Sequence, residues 1–249
     1  MLLSNAAGGY AFLRGGNAYS AGVVAAPGFL IEHVCLAHPI PLKAGFTLLD
    51  EHLKAVGRPR AALCAIALRS KPFTFEGFKE FNVGYVDALK SWDLLVDGIN
   101  PVARTNVAPE LAPPPEPSLY SFAYTVPQAG AARSFVVSGA GEIPEGAAGA
   151  GDVVRRGETS PDALRDKARC VLGLVEGRLD RLGATWDEVT VTNIYTVHDL
   201  NAFLADEILP RIGTAAQHGV TWHFTRPPIV SIEFEMDLSG GVRRQSRRI

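Results

Sequence analysis

Two periods of apolar residue alternate along this chain, and the order in which they occur repeats. Short apolar or β-branched runs predict strands at 18–23, as a pair across 29–42, and at 61–68, 101–107 and 120–126. Between them, 46–56 and 75–89 predict helices; in the second, Phe78, Phe81, Val86 and Leu89 fall near helical spacing. The second half starts over, with a strand at 134–139, a helix at 161–182, a strand at 188–197, a helix at 199–212 and an alternating closing strand at 230–238. Helix 161–182 is the best marked. Ser160 can cap it, Pro161 suits its first position, Leu164, Ala168, Val171, Leu172, Val175 and Leu179 form one stripe, and Gly183 stops it.

The repetition predicts two domains, 1–128 and 129–249, joined at Pro127-Gln128-Ala129-Gly130. The stretch 109–117 holds five prolines and reads as a rigid loop, since proline can neither donate to a ladder nor continue a helix. The Gly- and Ala-rich stretch 139–157 lacks the Lys-Ser/Thr ending of a phosphate-binding loop and reads as a lid or a strand connection.

With 249 residues, 47% of them hydrophobic and 20% charged, the chain can bury two modest cores or one large one. A net charge of -2 argues against a nucleic-acid partner, which needs clustered cations. The basic run Arg243-Arg244 and Arg247-Arg248 is expected to be a solvated tail. Cys35, Cys64 and Cys170 are scattered and form no CxxC pair, which favours a reducing compartment and gives no support to a zinc or redox site. Pro27, Glu32, His33 and Pro39 interrupt the most apolar window, so no membrane span is expected there. The first residues do not read as a secretory signal, and a cytoplasmic protein is expected.

Several motifs resemble those of the Rid (YjgF-like) superfamily. In the first half these are Tyr19 with Gly22, Asn82 on a helix, and Val102-Ala103-Arg104-Thr105; in the second, Val137-Ser138-Gly139 with Ile143-Pro144, and Ile232-Glu233-Phe234-Glu235. Each half departs where the other matches. Leu36 to Pro41 stands at the first half's Ser-Gly position and its last strand lacks a carboxylate, whereas in the second half His218 falls on or near the Arg position and Leu204 replaces the helix Asn. The resemblance implies an α+β fold of two tandem Rid-like (chorismate-mutase-like) domains, each a mixed β-sheet with helices on one face, assembled as a homotrimer. It also implies one composite site, built from Tyr19, Asn82 and Arg104 on one side and Ser138, Gly139 and Glu233 on the other, within a chain or between chains.

In that site the catalytic residues would be Arg104, Glu233 and Ser138. Arg104 presents a planar fork that matches a carboxylate; the plain alternative is an arginine at a strand end. Glu233 would hold and deprotonate the attacking water, and Glu235 shares its strand face by the period of two. Ser138 and the Gly139 amide can bind a carboxylate or a developing polar centre. Tyr19 can close the pocket or simply pack, and Asn82 can orient a water or cap a turn of helix. His218, His223 and Arg226 can form a second anion clamp or lie on an exposed edge; a zinc site would need a third ligand.

The tandem arrangement resembles the double-Rid type of 2-aminomuconate deaminase. This implies cofactor-free hydrolytic loss of ammonia from 2-aminomuconate or a chloro-substituted analogue, in aromatic or nitroaromatic degradation. Other readings are a general 2-imino acid deaminase of amino-acid metabolism, a chorismatase-like hydrolase, and a non-catalytic Rid protein that binds a small ligand.

Overall fold

The computed structural model describes residues 1–146 and 150–247. A first set of elements runs β4 (Phe29–Pro41), α1 (Leu42–Ala55), β5 (Leu63–Arg69), α2 (Phe75–Ser91), β6 (Ala103–Pro109) and β7 (Ser118–Pro127). A second set has the same order: β8 (Phe135–Gly141), α3 (Pro161–Leu182), β9 (Val191–Thr196), α4 (Leu209–Ile212), β10 (Thr221–Arg226) and β11 (Glu235–Gly240). Strands β1 (Leu2–Asn5), β2 (Tyr10–Arg14) and β3 (Ser20–Ala25) precede them, and β12 (Arg243–Arg247) follows.

All twelve strands form one mixed sheet, in which β6-β5-β7-β4 and β10-β9-β11-β8 have the same order and the same mixture of parallel and antiparallel pairs. The outer strands cross over. β3 pairs with β8 of the second set, while β12 runs parallel to β4 of the first. β6 is the seam, because Ala108 and Pro109 meet β10 at its end and Ala103 meets Ser20 of β3 at its start.

Helix α3 has the limits its sequence predicts: the Ser160 hydroxyl accepts from the Ala163 amide, and Gly183 adopts φ 69° to end it. Its stripe packs on Phe135, Val137, Ile194, Phe234 and Met236, joined by Leu13, Ala21 and Val24 from the N-terminal strands. Each such buried side chain contributes roughly 1.5–3 kcal/mol. α1 and α2 cover β5 and β7 through Leu49, Leu53, Tyr85, Leu89, Ile66 and Phe122.

Several expectations change. The pair of strands at 29–42 is one strand, with a register irregularity between Cys35 and Ile40. The helix expected at 199–212 is a wide turn at Leu204–Ile208 followed by the single turn α4, whose second residue Pro210 has no amide to extend a ladder backwards. The basic run is not a solvated tail: it forms β12, with Arg243 on Glu32 at 2.6 Å and Arg247 on His52 at 3.0 Å. Arg248 lies outside the described residues, as do 147–149 of the stretch read as a lid or connection. The three cysteines are free thiols. Among the described residues, no helix is long and apolar enough to cross a membrane.

Candidate active site

A cleft of about 780 Å³ opens where the β2–β3 turn, α2, β6, β8 and α3 converge. β6 alternates across the sheet, so Arg104 and Asn106 reach the cleft while Ala103 and Thr105 face the opposite side.

Arg104 is 6% exposed. Its guanidinium carbon lies 4.7 Å from the ring centre of Tyr85, 5.4 Å from Phe78, 5.7 Å from Phe81 and 6.0 Å from Tyr19. Nη2 donates to Asn82 Oδ1 at 2.8 Å, while the buried Nη1 has no partner among the described residues. Burial lowers the pKa of this group, but a guanidinium starts high enough to stay charged. A cation held among rings with one edge unsatisfied is a built receptor for an anion.

Glu235 begins β11, beside a register irregularity between Met236 and Leu238 against β8. Asp237 lines a second cavity, whereas Glu235 lines the cleft. Its carboxyl occupies the space above Gly139, where a Cβ would overlap Oε1. Burial raises its pKa well above the carboxylate range, Asp237 and Glu142 push the same way, and Arg178 and Arg104 oppose them. Among the described residues it has no hydrogen-bond partner. Gly139→Ala should therefore displace this carboxyl, with kcat falling about tenfold or more, as expected for a misplaced acid-base group, and little change in KM. Steady-state kinetics checks this.

The other sequence candidates fall into two groups. Tyr19, Asn82, Arg104 and Gly139 gather at the cleft. Ser138 is fully buried and its hydroxyl is engaged, donating to Ser20 O at 2.5 Å and accepting from the Arg104 amide at 3.1 Å. That serine ties three strands together and has no proton left for a ligand. The Gly139 amide is also occupied, by Thr105 Oγ1 at 3.1 Å.

Glu233 lies away from the cleft. The buried carboxylate of Glu142 accepts from the amides of Glu233 at 2.6 Å and Phe234 at 3.0 Å, so the chain turns there and the strand expected from residue 230 begins at Glu235. The Glu233 side chain meets His198 at 2.9 Å and Arg226 at 3.4 Å instead. Arg226 is taken up by Glu110 at 2.6 Å. His218 ends an exposed turn of 3-10 helix. His223 stacks on Tyr195 at 4.7 Å and bonds Asn193 at 3.0 Å, across the sheet. None of the three lines the cleft. Among the described residues, no three His, Cys, Asp or Glu side chains are grouped to hold a metal.

Arg14 and Arg178 line the cleft and were absent from the sequence candidates. Each carries a signal. Arg14 immediately precedes Gly15-Gly16, a turn so tight that a Cβ on Gly15 would press on Ala21 N at 2.8 Å. Arg178 lies one turn from Val175 on the apolar face of α3, a position where a cation needs a partner.

A family model described as "2-aminomuconate deaminase CnbZ" matches residues 2–246. The chain belongs to this family. A relative from Comamonas testosteroni, 2-amino-5-chloromuconate deaminase, is 42% identical over 240 residues, covering 95% of each chain. The CnbZ-family chain is thus a deaminase, an enzyme acting on a C–N bond. A crystal structure of a chorismatase aligns over 88% of it and 77% of the chorismatase, with a TM-score of 0.47 and 12% identity.

Proposed function

We propose that the enzyme hydrolyses a conjugated 2-amino dicarboxylate, 2-aminomuconate or its 5-chloro analogue, to the 2-oxo dicarboxylate and ammonia. The observation that carries this reading is the pairing, in one cleft, of the buried Arg104 guanidinium and the buried Glu235 carboxyl, which among the described residues have an unsatisfied edge and no hydrogen bond respectively. The names of the relatives supply the substrate class.

Arg104 holds the carboxylate next to the amino-bearing carbon, with Asn82 fixing the plane of its fork. Glu235 enters protonated, as its raised pKa favours, and gives its proton to the carbon chain, converting the enamine to an iminium. The carboxylate so formed takes a proton from water as the oxygen attacks C2. The resulting carbinolamine loses ammonia, its hydroxyl proton leaving as the nitrogen gains one, and Glu235 ends protonated. One water is consumed and one ammonia released, with no change of oxidation state. The strand order that occurs twice supports 1–128 and 129–249 as tandem Rid-like domains that share this one site.

The test is ammonia release from freshly generated 2-aminomuconate and, separately, from 2-iminobutanoate. The dicarboxylate should be the better substrate, and Arg104→Lys should lose about tenfold or more in kcat/KM because a point charge cannot reproduce the fork. Absence of ammonia from both substrates would overturn the reading.

A further inference from the structure

The cleft holds more positive charge than one carboxylate can neutralise. Arg181 is compensated by Glu145 at 2.8 Å, and both line the cleft. Among the described residues, Arg104, Arg178 and Arg14 form no ion pair, and Glu235 is the one carboxyl of the cleft near the first two. Arg178 is 5% exposed; its Nη1 donates to the carbonyls of Ser138 at 2.9 Å and Gly139 at 3.3 Å, and its buried Nε has no partner among the described residues. Arg14 stands exposed at the end of β2, with no ion pair among the described residues.

A buried guanidinium without a carboxylate costs free energy unless a ligand completes it. Arg178 is held by backbone carbonyls, so its orientation is set before any ligand arrives, which lowers the ordering cost of binding. Arg14 ends β2 where the turn that carries Tyr19 begins, and both side chains line the cleft.

We propose that Arg178 and Arg14 form a second carboxylate site in this cleft, which selects open-chain dicarboxylates over monocarboxylates. The proposal rests on the substrate reading above and identifies the residues that recognise the far end of the molecule. Arg104 binds the carboxylate beside the reacting carbon; Arg178 and Arg14 receive the distal one. The assignment replaces His218, His223 and Arg226, which the fold places elsewhere.

Binding and turnover separate this inference from the deaminase reading. Calorimetry on the intact chain compares muconate, which has both carboxylates and no amino group, with sorbate, the same conjugated chain with one carboxylate. Wild type should bind muconate more tightly than sorbate. Arg14→Gln should weaken muconate about tenfold or more, the loss expected for one charged hydrogen bond, and Arg14→Lys should recover part of it. Arg178→Lys should weaken muconate further, and Arg14→Gln carries the test should that variant fail to fold. The ratio of kcat/KM for 2-aminomuconate over 2-iminobutanoate should fall with Arg14→Gln, chiefly through KM. Equal binding of muconate and sorbate by wild type, or unchanged muconate affinity in Arg14→Gln, overturns the proposal. Failed ammonia release with intact muconate binding instead overturns the reaction and leaves the second site standing.

Discussion

Glu235→Gln is expected to lower kcat by about 10²–10⁴-fold, the usual contribution of a positioned acid-base group, while the chain stays folded. Glutamine keeps the volume above Gly139 and removes the ability to exchange a proton. KM should change little, because the carboxylate-binding arginines are untouched. Glu233→Gln is the informative control. That residue is bonded to His198 and Arg226 outside the cleft, so its removal should leave kcat within about threefold of wild type, as for a peripheral polar contact. The reverse pattern, with Glu233 essential and Glu235 dispensable, would return the site to the motif alignment.

The same carboxyl sets the pH dependence. A carboxyl whose pKa is raised is protonated up to that pKa and loses its proton above it. Since the first step needs the protonated form, kcat/KM should fall as pH rises through the raised pKa of Glu235. The limb should vanish in Glu235→Gln. Asp237→Asn should move it to lower pH, because Asp237 is one of the charges that hold the proton on Glu235. A profile in which activity instead rises through this region would assign Glu235 as the base from the outset.

The sequence carried the parts of this fold that depend on local pattern. α3 is bounded by a serine cap, a proline and a terminal glycine, all local signals, and its limits are legible to the residue. The strand at 230–238 was misread because alternation continues back through Ile232 and Phe234, while a tertiary contact, the Glu142 carboxylate, takes the amides of residues 233 and 234. That later start decides which glutamate reaches the cleft. Gly139 reads as a ligand-binding amide, whereas the group held against it is a side chain of β11, which no local pattern reveals. Strands β1, β2 and β12 were missed for a similar reason. β12 reads as a charged tail, and it is a strand because β4 offers an open edge with Glu32 beside Arg243.

The largest stability effect is expected from Lys167→Met. Lys167 and Glu142 form an ion pair with both side chains 0% exposed, and Lys167 also donates to Val154 O at 2.8 Å. Burial raises the Glu142 pKa against the pull of Lys167 and the two amides, so the carboxylate depends on all three partners. Removing the ammonium leaves a buried carboxylate uncompensated, at a cost of about 3–5 kcal/mol measured by denaturant unfolding. Glu142→Gln in the Lys167→Met background should recover part of that loss, because a neutral amide oxygen can still accept one backbone N–H without a charge to bury. The pair also couples stability to the site. Glu142 pins residues 233 and 234, the segment that leads directly into Glu235, and α3 carries both Lys167 and Arg178. Under conditions where the Lys167→Met variant is still folded, kcat should therefore fall while Arg104-dependent binding of sorbate persists. Full activity in a folded Lys167→Met chain would show that Glu235 is positioned without this anchor, and would leave the buried pair a purely structural role.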